Sequence, residues 1–314
     1  MKMHFRTAMI VASLATGLGG ANVAAASKSP PPPPEPYNPQ ILYTSGTQGG
    51  RTTTIYVANA DGTDAVALYS TGNITSQAKF APGNRIVFIE QNTLKVLTYA
   101  VSSQGVTTTN VTALTARQPY NTWRLDCSPD GTELLFTEDT ETADITAIWL
   151  VSMSGGTPQL LALPSGSYMD VVWANSNSRF AVFQLGPVVG GSHSQTIQVI
   201  DLDANHNIVD MTTVFDSTVS QLNQIQRIES AHTSNTLIFG AVSGTNANIY
   251  TLDIGAQAVS LPIVAGGNAS FSADDSTILF VGPTTPILYE FNVNSKTQTL
   301  INTPRLFAQP DFLP

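Results

Sequence analysis

The feature that most constrains this chain is a strand–turn–strand unit that returns along its length. The fullest copy has Arg124-Leu125-Asp126-Cys127 as a strand, Ser128-Pro129-Asp130-Gly131 as a turn and Glu133-Leu134-Leu135-Phe136-Thr137 as a second strand. Pro129 presets φ, the Asp130 side chain can bond nearby backbone, and Gly131 tolerates positive φ, so the residues match a tight reversal. After a polar loop, Ala147-Ile148-Trp149-Leu150-Val151 reads as a third strand, Ser154-Gly155-Gly156 as a hairpin, and residues 158–163 as a fourth strand. Four antiparallel strands of this kind make one propeller blade.

The unit recurs around Phe80, Trp173, Glu229 and Phe271, at intervals of roughly 40 to 50 residues apart from a longer one between Trp173 and Glu229. That longer interval holds an insertion at 186–194 and a longer fourth strand. Third strands recur as Ile55-Tyr56-Val57-Ala58, Ile249-Tyr250-Thr251-Leu252 and Leu288-Tyr289-Glu290-Phe291. No helical period is present. The first repeat opens directly with a second strand, Ile41-Leu42-Tyr43-Thr44, whereas residues 307–314 look like a first strand without the rest of a blade. The expected fold is all-β: a six-bladed β-propeller of four-stranded antiparallel blades over residues 40–314. Its ring would be closed by the C-terminal strand pairing into the first blade, which leaves no exposed sheet edge at the seam.

The Ser128-Pro129-Asp130-Gly131 turn between an apolar first strand and Leu134-Leu135-Phe136 resembles the TolB-like propeller repeat, a relative of the Trp-Asp repeats. Other copies depart from it: Gly83 follows Pro82 directly, Asn175 replaces the proline, and Ala273 precedes Asp274-Asp275. The resemblance implies a propeller that serves as a binding scaffold in the bacterial periplasm. TolB itself also has a separate N-terminal α/β domain, for which the proline-rich stretch leaves no room, so a role in the Tol system is not implied.

Residues 1–26 have a basic start (Lys2, Arg6), an apolar stretch and small residues ending in Ala24-Ala25-Ala26, the order of a secretory signal peptide. Residues 27–39, with Pro30 to Pro34, Pro36 and Pro39, read as an extended proline-rich spacer. No later run is long and apolar enough to span a bilayer. Localisation is expected to be periplasmic, with secretion as the alternative. The formal net charge is −9, and loss of Lys2 and Arg6 makes it more negative, which disfavours nucleic acid as a partner. The single cysteine, Cys127, stands at a repeat position held elsewhere by Phe or Trp and reads as a buried apolar residue.

Catalytic motifs are missing. The nearest approach to a Gly-x-Ser-x-Gly elbow is Gly190-Gly191-Ser192-His193-Ser194, which ends in Ser. In a four-stranded blade, the loops joining strands one to two and three to four share one face, which puts His232 and His206 together and His193 on the other. The three cannot converge on a metal. Asp201, Asp203 and Asn205 resemble the opening of a calcium loop, but His206 and Thr212 occupy the positions that need Gly and a bidentate Glu. That segment reads instead as a hairpin. No cofactor and no metal is expected.

Candidate recognition residues gather on the face where first strands begin: Tyr120, Trp123 and Tyr168 near the channel, flanked by Glu138, Asp139 and the loop carrying His193. Aromatics beside polar groups suit protein or glycan contact, while packing of Trp123 and Tyr168 between blades is the competing reading. The expected function is that of a non-enzymatic exported scaffold, monomeric, binding a protein or cell-envelope component. The alternative is a channel-site enzyme of lyase or lactonase type acting on a carbohydrate or lactone. Carboxylates or histidines converging in the channel would overturn the scaffold reading.

Overall fold

Six antiparallel sheets follow one another along the chain. The computed structural model describes residues 39–46, 52–72, 75–91, 93–115, 122–140, 142, 145–189, 192–220, 222–283, 287–301 and 311–312, with the backbone alone described at 75, 76, 122, 123, 189 and 312. The segment expected to be a signal peptide (residues 1–26), almost all of that expected to be a spacer (27–39), and Tyr120 lie outside these residues.

From the inside outward, blade one contains Asp311–Phe312, Ile41–Gly46, Thr53–Ala58 and Val66–Thr71. Blade two is Thr75–Ala81, Arg85–Glu90, Thr93–Ser102 and Gly105–Ala113. Blade three is Thr122–Cys127, Glu133–Asp139, Thr146–Ser152 and Gln159–Leu160. Blade four is Ser167–Trp173, Arg179–Val189, Ser192–Leu202 and Ile208–Asp216. Blade five is Ile228–Ser230, Thr236–Ser243 and Asn246–Asp253, with Ala258–Val259 and Val264–Ala265 both pairing on its outside. Blade six is Gly267–Phe271, Thr277–Val281, Leu288–Asn292 and Gln298–Ile301. Each inner strand packs against the inner strands of both neighbouring blades, so the six make a circuit around one axis. The C-terminal pair joins blade one antiparallel, Ile41 opposite Phe312 and Leu42 opposite Asp311.

The sheets pack face to face through six apolar clusters, one at each blade junction. The seam between blades six and one, for example, joins Leu279, Leu288 and Ile301 to Ile41, Tyr43 and Ala58. Period-2 alternation on each strand supplies side chains to both faces, which is why strands such as Ile86 to Ile89 read as continuously apolar.

Three local departures from the sequence expectation have evident causes. The fourth strand of blade three shrinks to Gln159–Leu160, since Pro158 has no N–H to give the ladder. In blade five, Pro262 interrupts the outer strand in the same way, and Leu261 beside it is exposed. A single helical turn, Ser217–Ser220, caps the long fourth strand of blade four. The insertion at 186–194 lengthens a hairpin whose strands, Arg179–Val189 and Ser192–Leu202, are 11 residues each.

The turn chemistry is as its residues suggest. Ser128 Oγ donates to Asp130 Oδ1 (2.7 Å), which also accepts from Thr132 N (3.0 Å), and Gly131 takes φ +70°. Blade six repeats the arrangement: Ser272 Oγ donates to Asp274 Oδ1 (2.8 Å), which accepts from Ser276 N (3.0 Å). There Asp275, at φ +58°, takes the left-handed place of the glycine. The supposed calcium loop is a hairpin turn in which Asp203 Oδ1 accepts from Asn205 N and Asn207 N.

A charged plug and the candidate site at its mouth

The inner strands carry ionisable side chains to the ring axis. Lys79 of blade two sets its Nζ 2.6 Å from Asp126 Oδ1 of blade three and 2.7 Å from Glu229 Oε2 of blade five. Blades two and five face each other across a ring of six, so this side chain bridges the channel. Arg227 donates to the other Glu229 oxygen, and Arg124 Nε lies 3.6 Å from Asp170 Oδ1. Lys79, Asp126, Asp170, Arg227, Glu229 and Asp311 are all buried.

The same side chains lace the blades together. Ser270 Oγ donates to Asp311 Oδ1 (3.1 Å), and Asp311 Oδ2 accepts from Phe80 N (2.9 Å). Gln77 Oε1 accepts from Leu125 N (3.0 Å), Asp126 Oδ2 from Trp173 N (2.7 Å) and Asp170 Oδ2 from Ile228 N (3.0 Å). These contacts cross five consecutive junctions, from six–one to four–five. At the last, five–six, the backbones approach closely: Gly240 and Gly267 meet, and a Cβ on Gly267 would strike Gln226 Oε1.

Burial and charge compete at each group. Burial raises Asp126, to about 6, against the pull of the Lys79 ammonium. Burial also raises Asp170 and Asp311. For Glu229 burial is outweighed by Arg227 and Lys79, which hold it below the usual carboxylate range. Burial alone would discharge Lys79, but Asp126 and Glu229 hold it protonated well above an ordinary lysine.

Above this plug, on the face of the strand one-to-two turns, opens a hollow of about 470 Å³. All six blades contribute to it. Lys79, Asp126, Glu229, Asp311 and Ser270 supply polar groups, while Pro82, Pro129, Trp173 and His232 are among the residues around them. Cys127 also lines it, with its thiol pushed up to about 12 by burial, so it is not a ready nucleophile.

The residues named from sequence are spread out. Tyr168 is 2% exposed, packs among Leu135, Ile148 and Trp173, and donates its hydroxyl to Pro164 O at 2.6 Å. Its ring is therefore unavailable to a partner. Glu138 is also buried, and Asp139 is half-buried at the end of its strand. His193 is exposed, with Nδ1 2.8 Å from Gly186 O. The side chain of Trp123 lies outside the described residues, as Tyr120 does. His206 Nε2 sits 2.9 Å from Glu133 Oε1, and His232 lines the hollow. Among the described residues no three metal-ligating side chains gather. The carboxylates, by contrast, do converge on the channel, and three cations converge with them. The usable sequence signal was a charged or amide residue on a first strand, as at Gln77, Lys79 and Asp126.

The architecture is that of a six-bladed β-propeller with a channel closed by buried ion pairs. No protein-family model and no curated protein matches the chain. Its fold is TolB-like: TolB from Acinetobacter baumannii is similar with a TM-score of 0.69 at 16% identity, over 88% of this chain and 67% of that one. A chain from Agrobacterium tumefaciens assigned as TolB gives 0.62 at 14% identity, over 84% and 99%. An oligogalacturonate lyase from Vibrio parahaemolyticus gives 0.52 at 11% identity, over 84% and 74%. At such identities the likeness is one of fold.

Proposed function

We propose that this chain is an exported, periplasmic propeller that works without catalysis, as a scaffold for a protein or cell-envelope component. The channel carboxylates converge, the arrangement expected of a channel-site enzyme, but each is already committed to the fold, and that commitment is the observation that carries the reading. Asp126 serves Lys79 and Trp173 N, Glu229 serves Lys79 and Arg227, and Asp311 serves Phe80 N and Ser270. Asp170 accepts from Val171 N and Ile228 N. Groups so engaged hold blades together rather than shuttle protons. The contact set for the partner is Tyr120, Trp123, Asp139 and His193. Among the described residues no helix is long and apolar enough to cross a membrane.

The test pairs cross-linking of the purified mature chain in envelope extract with turnover assays on oligogalacturonates and lactones. A saturable complex with one envelope component, weakened by Tyr120→Ala with His193→Ala, is expected. Reproducible turnover overturns the reading in favour of a channel-site enzyme. The specific observation on that side is Asp126, whose carboxyl is pushed up to about 6 beside an open hollow.

A further inference from the structure

Blade five carries its outer strand in two pieces: Ala258–Val259, paired to Leu252 and Asp253, and Val264–Ala265, paired to Asn248 and Ile249. Pro262, in the gap between them, has no N–H to give the ladder. Beside the gap opens a groove of about 460 Å³, between the broken strand and the helical turn Ser217–Ser220 that follows blade four. Asn246, Asn248 and Tyr250 line it. They are alternate residues of one strand, so their side chains leave the same face of the sheet. Leu261 lines the groove from the broken strand, and Ser220, next to Val219 in the chain, lines it from the helical turn. Leu261 is 86% exposed and Val219 81%, the largest exposures among the described large apolar residues. Scattered singly such residues are ordinary, but a pair at one groove marks a contact surface.

The polar groups of the groove lack partners. Tyr250 is 3% exposed and its ring stacks on Phe239, yet its hydroxyl has no hydrogen-bond partner among the described residues and is not sealed from solvent. It opens into the groove that Tyr250 lines. Asn248 Nδ2 makes one long contact, 3.5 Å to Asn246 O, and the side chains of Asn246 and Ser243 have no partner among the described residues. None of the described residues around the groove is charged, in a chain of formal net charge −9. An ion entering it would give up water without meeting a counter-charge, so the fitting occupant is neutral. It must also offer donors and acceptors together, as Asn, Ser and Tyr do.

Spacing narrows the choice. Asn246 and Asn248 stand two residues apart on an extended strand, about 6.8 Å. An extended peptide turns its N–H and C=O groups to one side at that same repeat. Each asparagine amide carries the donor and acceptor of a peptide group, so the two match successive backbone sites of such a segment. We propose that the groove binds an uncharged, extended peptide segment of a partner protein, its backbone bonded by Asn246 and Asn248 and an aliphatic side chain set against Leu261. Neither Asp139 nor His193 lines the groove, so this site stands apart from the contact set proposed above and does not depend on the channel being non-catalytic.

Panning the purified full chain with a phage library of short random peptides tests it, with the folded Leu261→Asp variant used to discard peptides that bind elsewhere. The retained peptides are expected to be uncharged and to carry an aliphatic residue. Fluorescence anisotropy with the best of them, made synthetically, is expected to show one site. Asn248→Ala removes two neutral hydrogen bonds and is expected to weaken binding about tenfold. Tyr250→Phe is the second variant: its hydroxyl has no described partner to lose, so the melting temperature is expected to hold while the affinity falls. No enrichment over Leu261→Asp, a charged consensus, or full affinity in either variant overturns the proposal. Binding of cellohexaose or chitohexaose that Leu261→Asp abolishes overturns it in favour of a glycan. Turnover, or loss of the envelope complex, counts against the scaffold reading and alters none of these readouts.

Discussion

Lys79 and Glu229 lie 150 residues apart in sequence and on opposite blades, yet their side chains meet across the ring axis at 2.7 Å. A contact of this kind spans the channel instead of lining it, so it serves the fold much as a spoke serves a wheel. Because both partners are buried, each depends on the other to remain charged.

Replacing Lys79 with Met leaves Asp126 and Glu229 buried side by side without their shared cation. Loss of one partner from a buried pair costs about 3–5 kcal/mol. Urea unfolding of Lys79→Met should show that loss with an unchanged m-value.

Asp126 supplies a pH dependence of known sign. Its folded pKa is raised, from 3.8 to about 6, so between these values the native state holds a proton that the unfolded chain has released. The stabilisation is present at low pH and is lost as pH rises through about 6. Asp126→Asn cannot titrate there. The stability of the parent relative to this variant should therefore fall between pH 4 and 6, by roughly 1.4 kcal/mol per unit, and level off above.

Gly131 is held at φ +70°, and a Cβ there would lie 2.6 Å from Arg85 Nη2 and 2.9 Å from Pro82 Cβ of the neighbouring turn. Gly131→Ala should cost at least about 1–2 kcal/mol from backbone strain alone. Thermal melts of the variant beside the parent measure it.

Removing residues 311–314 takes away the partner of Ile41 and Leu42 and the acceptor of Phe80 N. It also uncovers the inner edge of blade one. A single cooperative melt at markedly lower temperature is expected, together with a rise in aggregation from the exposed edge.

Tyr168→Phe deletes the hydroxyl bond to Pro164 O and leaves the ring in its packed position. A stability loss of about 1 kcal/mol, with envelope binding unchanged, is the expected result. Weakened binding at full stability would return Tyr168 to the recognition surface.

Blade period, strand order and turn chemistry were legible because they are local. A Ser-Pro-Asp-Gly turn between apolar strands specifies its own geometry, and repetition then implies the ring. The glycine substitute Asp275 shows where local reading thins: its left-handed backbone is matched by bonds to His232 N and Thr233 N of the adjacent blade. Tyr168 shows a different limit, since an aromatic at the start of a strand reads alike whether it faces a partner or a neighbouring sheet.

By itself, then, the sequence determined a six-bladed all-β ring, because period-2 patterning and turn residues act over a few positions. Only the tertiary structure decided what occupies the centre. Lys79, Asp126, Asp170, Glu229 and Asp311 look like ordinary polar residues on separate strands. Their convergence depends on the register of six blades about a common axis, a relation between segments far apart in the chain. There, burial turns unremarkable side chains into a charged plug with one carboxylate, Asp311, left without a cation among the described residues.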